Sequence, residues 1–166
     1  DMVEEEQIKV IGSLRIGIPL YNVYLNEADE WSRRLSNQLS EWSLEVHRPV
    51  PSDAEALAHS LAGSSATVGF SSLSDMARAL EHALQHMAGQ HGGTDHQGRV
   101  FREAAEDIRR LLHQFAAGFL KEPNPFILEE LRALEFGDAV SASQVVEAPV
   151  FPLDPAQTLA APLVED

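Results

Sequence analysis

The sequence predicts an all-α domain: an antiparallel four-helix bundle with a short fifth helix, flanked by extended or disordered tails. Three observations carry that expectation. Apolar residues recur at spacings of three and four through successive stretches, the period of a helix with one buried face. Proline, glycine and short polar runs separate those stretches, so neighbouring helices are joined by short connections and run antiparallel. The chain has 166 residues, room for one domain with tails.

Asp1 to Gln7 is acidic and aperiodic and reads as solvated linker. Ile8 to Ile18 is rich in β-branched residues around Gly12-Ser13, which suits a short extended or hairpin lead-in. These two pieces make up residues 1–18, and the bundle is expected over residues 19–136. Pro19 suits a first helical turn. Tyr24, Ala28, Trp31, Leu35, Leu39 and Trp42 then form an apolar stripe, with Glu27, Glu30, Arg33, Arg34, Asn37 and Glu41 on the other side. The prolines between His47 and Pro51 end this helix.

A second helix opens on a capping box, Ser52 with Glu55, and ends near Gly69. The third begins at Ser71 or Ser72 and buries Leu73, Met76, Ala77, Leu80, Leu84 and Met87, with Gly89 ending it. Gln90 to Gly98, with its glycines and Thr-Asp pair, reads as a loop. A fourth helix over roughly 97–120 turns Phe101, Ala104, Ile108, Leu111, Leu112, Phe115 and Phe119 inward. Asn124 caps and Pro125 opens the fifth, whose apolar side is Leu128, Leu131, Leu134 and Phe136. Residues 137–166 are an acidic Ala/Pro linker without period, too poor in buriable surface to offset the entropy of ordering. Acidic irregular segments at both ends suggest a module within a longer polypeptide.

An apolar share of 44% suits a packed core. The net charge of −14 argues against nucleic acid, whose phosphates need clustered Lys and Arg, and against an anionic membrane surface. With no cysteine there is no disulfide and no thiolate metal site, which fits a reducing compartment. Neither a signal peptide nor an 18-residue apolar run is evident, so a cytoplasmic location is expected.

The chemistry gathers on the second helix. Leu57, Leu61, Ser65 and Val68 fall on one face, and His59 lies nearly opposite, pointing outward. Toward the C-terminal side its face carries only Ala62, Gly63 and Ala66. A glycine inside a helix costs about 1 kcal/mol relative to alanine, so Gly63 one turn after an outward histidine leaves the imidazole uncovered. On the third helix Glu81 sits on the shoulder of the apolar stripe, about 80° from Leu73, where a side chain can reach the exposed edge of a neighbouring helix. Arg78 precedes it by one turn and is a candidate to attract phosphate beside the site. A plain solvated arginine is the simpler reading.

The pattern Ala58-His59-Ser60-Leu61-Ala62-Gly63, with Gly69 and Leu73 following, resembles the histidine phosphotransfer (Hpt) domain, and among its variants the phosphoacceptor domain of CheA-like chemotaxis kinases. The apolar lead-in is similar to that of CheA-like kinases of twitching-motility systems. The resemblance implies that His59 accepts a phosphoryl group and that Glu81 orients its ring. One departure is plain: the family usually has lysine or arginine where this chain has Ala62.

An imidazole nitrogen is nucleophilic when neutral, and an ordinary histidine with pKa near 6.5 is mostly neutral at cellular pH. A carboxylate on the other ring nitrogen fixes the tautomer, as it does for metal-bound histidines. The chain has no phosphate-binding glycine loop, so no cofactor is expected to bind it; Mg·ATP and Mg²⁺ would come with a histidine kinase catalytic domain and a response-regulator receiver domain as partners. The alternative is a helical docking or dimerisation module that is never phosphorylated. A third reading is a metal site at His82 and His86, spaced i, i+4, but no further ligand is fixed beside them, and no metal is expected.

Overall fold

A computed structural model describes residues 7–135. The chain begins with a hairpin, β1 (Ile8–Ile11) and β2 (Leu14–Gly17), whose antiparallel register pairs Ile11 with Leu14 and Ile8 with Gly17 across a Gly12-Ser13 turn. Five helices follow: α1 (Ile18–Ser43), α2 (Ala54–Thr67), α3 (Ser71–His86), α4 (Asp95–Ala116) and α5 (Pro125–Glu135). The expected all-α bundle with a short fifth helix is what forms. Helix α1 packs on α2 and α4, α3 closes the ring against α2 and α4, and α5 lies on α3 and α4.

A two-stranded sheet is marginal in water by itself. This hairpin persists because Ile11 and Ile16 are buried in the same core as the helices. Leu35, Leu39, Leu61, Leu73, Leu80, Phe101, Ile108 and Leu111 fill the middle of the bundle. Phe70 stacks on Phe115 at 4.3 Å between ring centroids, and Tyr24 meets the same ring edge-on. The Tyr24 hydroxyl shares a 2.7 Å hydrogen bond with Ser65 Oγ inside the core. Burial pushes its pKa up, only partly opposed by that bond. The α1–α4 seam is tied at the surface by Arg109, whose Nη1 donates to Asp29 Oδ1 at 2.7 Å and to Ser32 Oγ at 3.0 Å. That guanidinium holds the Asp29 carboxyl below the usual carboxylate range.

Several expectations need correction. Helix α2 does not open on a Ser52–Glu55 box. Its N-cap is Asp53, already helical at φ −81° and ψ −16°, with no side-chain capping bond. The chain enters through a turn in which Ala54 N–H donates to Pro51 O at 3.2 Å, so Ser52 sits one residue too early to cap. The capping box that does form uses Thr94 and Gln97, in what the sequence suggested was loop, and α4 starts at Asp95. That connection is drawn against the end of α1 by Gly93 N–H donating to Val46 O at 2.7 Å, and a Cβ on Gly92 would fall 2.6 Å from His47 O. Helix α4 stops at Ala116, so Phe119 is 57% exposed and not inward. Trp31 is only half-buried, and Ser32 takes the fully covered position beside it. Asn124 does cap α5: its Oδ1 accepts from Phe126 N–H at 2.9 Å and Ile127 N–H at 3.2 Å. Phe136 and the linker over 137–166 lie outside the described residues, as do residues 1–6.

Candidate functional site

The site depends on how tightly α3 is folded back on α2. Three residues join them. Gly69 adopts φ +85°, its N–H donates to Ala66 O at 3.0 Å, and Phe70 N–H donates to Ser65 O at 2.8 Å. This is the Schellman arrangement, which satisfies the last carbonyls of a helix while reversing the chain. Phe70 then buries against Phe115 and pins the reversal to α4. At the fourth residue of α3, the Ser74 hydroxyl donates to Ala62 O at 2.9 Å, a buried bond that locks the register of the two helices. Sequence reasoning passed over Ser74; its place among Leu73, Met76 and Ala77 on the packed side of α3 was the available signal.

With that register set, His59 stands opposite Glu81. Nδ1 of His59 lies 2.8 Å from Glu81 Oε2, a hydrogen bond spanning 22 residues of sequence. The environments of the partners are opposite. The His59 side chain is 70% exposed, whereas that of Glu81 is 8% exposed. An ionised carboxylate can only accept, so Nδ1 is the donor. That leaves the lone pair on Nε2, the nitrogen not bonded to Glu81, in a side chain that is mostly exposed. Glu81 Oε1 is buried and has no hydrogen-bond partner among the described residues. An unsatisfied buried oxygen costs about 1–3 kcal/mol, so the glutamate is a poor choice for stability alone.

The remaining expected residues divide. Gly63 and Ala66 are exposed on the His59 face, and a Cβ added at Gly63 meets nothing within 4 Å. Toward the C-terminal side of α2 the surface beside the imidazole is therefore bare backbone and methyl. Ala62 does not line it. It is fully buried in the α2–α3 contact, where its carbonyl receives Ser74. The angular position that looked shared with His59 on one helix is covered by the next. Arg78 is exposed one turn before Glu81. Among the described residues no group of three or more His, Asp or Glu is arranged to hold a metal ion.

What the arrangement can do chemically is narrow. It presents one imidazole nitrogen as an oriented nucleophile on a rigid two-helix platform, with no pocket needed to hold a substrate. No curated protein matches the chain. A family model described as the Hpt domain does match, over residues 19–118, more than half of the chain. The chain belongs to the Hpt domain family, and with it to phosphotransfer in two-component phosphorelays through kinases and receiver domains.

Proposed function

We propose that His59 is the phosphoacceptor, receiving a phosphoryl group from the ATP-binding domain of a histidine kinase and passing it to a receiver-domain aspartate. In this reading Glu81 is a positioning residue. The observation that carries the proposal is the 2.8 Å bond between His59 Nδ1 and the buried Glu81 carboxylate, which leaves Nε2 exposed. Nε2 attacks phosphorus as the bond to the leaving β-phosphate oxygen breaks, and ADP departs with that electron pair. The Nδ1 proton stays in the hydrogen bond to Glu81, which offsets the positive charge the ring acquires. Mg·ATP belongs to the kinase and Mg²⁺ to the receiver; this chain supplies the nucleophile and its orientation. The parent is a CheA-like sensor kinase of a chemotaxis or twitching-motility system, a reading supported by the resemblance of the His59 motif and of the apolar lead-in. Among the described residues no helix is long and apolar enough to cross a membrane.

The test is incubation with Mg·ATP and the kinase core of the parent protein, beside a His59→Gln control. Acid-labile, base-stable phosphate located on His59 by peptide mass spectrometry is expected. In the control it should be absent, with helical circular dichroism unchanged because the ring is exposed. No label, from a kinase shown to be active on another acceptor, would put the docking-module reading ahead.

A further inference from the structure

Resting on His59 as phosphoacceptor, we propose that Arg78 is the cation that neutralises the phosphoryl group carried on His59 Nε2. A phosphoryl group brings close to two negative charges and several strong acceptor oxygens. Here it would stand beside a carboxylate, since Glu81 holds the other side of the same ring. Some group must offset that charge, and the two helices of the site offer little choice. Helix α2 contains no lysine or arginine, and Arg78 is the single one on α3. Ala62, the nearest candidate position on α2, is sealed in the helix contact.

The register puts Arg78 at the required height. Ser74 is bonded to Ala62 and Glu81 to His59, so Arg78 on α3 stands between those two levels, alongside the gap from His59 to Gly63. That gap is open, because Gly63 and Ala66 project nothing into it beyond a methyl group. Arg78 is also uncommitted. Among the described residues Arg33, Arg34, Arg48, Arg99, Arg102, Arg109 and Arg110 each hold a carboxylate, whereas Arg78, like Arg15 and Arg132 away from these two helices, makes no ion pair or hydrogen bond. Nor is it spent on Glu81, whose second oxygen has no partner among the described residues. A guanidinium suits this task because its planar fork can donate two parallel hydrogen bonds to phosphate oxygens.

In the transfer step the Nε2 lone pair forms the N–P bond while the bond from phosphorus to the donor's leaving atom breaks, the leaving group taking the electron pair. The Nδ1 proton remains with the ring and Glu81, and Arg78 contributes charge and hydrogen bonds without exchanging a proton.

The full chain is phosphorylated with potassium phosphoramidate, a small donor that needs no partner protein and releases ammonia. Label on His59 is located by mass spectrometry against the His59→Gln background, and the phosphoryl group is titrated by ³¹P NMR. In Arg78→Gln the rate at His59 should fall roughly threefold, and the phosphoryl titration midpoint should rise by about half a pH unit, as expected for loss of one solvent-exposed cation. Arg78→Lys should retain most of both. Circular dichroism and melting should be unchanged in each. If His59 is labelled and Arg78→Gln alters neither rate nor midpoint, the role of Arg78 is overturned while that of His59 stands. If wild-type His59 takes no label, both fall.

Discussion

Two carboxylates in this domain, Glu81 and Asp107, are buried to nearly the same extent, and they are used in opposite ways. Asp107 on α4 has both oxygens engaged. Oδ1 accepts from Arg110 Nε at 2.8 Å, and Oδ2 accepts from Asn124 N–H at 2.9 Å. Arg110 in turn donates to Glu122 O at 3.0 Å, so the group clasps the connection from α4 to α5. Glu81 on α3 has one oxygen on an exposed imidazole and, among the described residues, no partner for the other. A satisfied buried carboxylate holds structure together. One left half-satisfied against an exposed imidazole does little for folding, which fits the positioning role proposed for it.

That contrast can be broken most forcefully at Asp107. Asp107→Ala strands the Asn124 N–H and one face of Arg110, and it should cost about 2 kcal/mol in urea denaturation. Phosphorylation of His59 by a small donor should continue at its normal rate while the protein remains folded. Loss of labelling in folded Asp107→Ala would show that the two carboxylates are not separable in this way.

Glu81→Ala should give the reverse result, with a smaller free-energy effect. Labelling of His59 should slow about tenfold, the lower end of what loss of an orienting partner costs at other histidine sites. The melting temperature should stay within about 2 °C, because the replaced side chain already carried an unpaired oxygen. Glu81→Gln should fall between, since its amide oxygen can still accept from Nδ1 without the charge. A steep fall in stability with no change in labelling would make Glu81 a second Asp107.

Much of this was legible in the sequence, for a physical reason that also marks where legibility ends. The outward angle of His59 and the shoulder position of Glu81 follow from helical period alone, and the Asn124-Pro125 start of α5 follows from local capping chemistry. Both are properties of one helix or one turn. Ala62 fails that test: a single helix places it near His59, but α3 covers that angle, and nothing within α2 announces it. Ser52 and Thr94 fail in a paired way. Each begins a box-like spacing, and the turn by which the chain enters the helix decides which one caps. The apolar period runs past Ala116 and so points Phe119 inward, whereas Gly118 at φ +100° ends the helix first. Asp107 gave only half a local sign: Arg110 stands three residues along the same helix, but the Asn124 N–H comes from a connection that only the fold brings near.

The smallest expected effects concern the two glycines of the motif, which look alike in sequence and differ in what they do. Gly69 makes the reversal from α2 to α3 at φ +85°, and a Cβ there would also meet Leu14 Cδ2 at 3.2 Å. Gly69→Ala should destabilise by about 1 kcal/mol, the cost of a left-handed backbone in a residue with a Cβ. Gly63 has ordinary helical backbone and open space above it. Gly63→Ala should therefore stabilise, by about 0.5–1 kcal/mol in thermal or urea unfolding, because glycine is the poorer helix former. Labelling of His59 by phosphoramidate should be unaffected, while exchange with a receiver domain should slow as the added methyl intrudes on the docking surface. A gain in stability joined to a loss of exchange would mean that α2 keeps a helix-weakening residue for the sake of the partner that approaches His59. If Gly63→Ala gains stability and loses nothing, the bare face beside the imidazole has no role in recognition, and approach to His59 is governed from α3 alone.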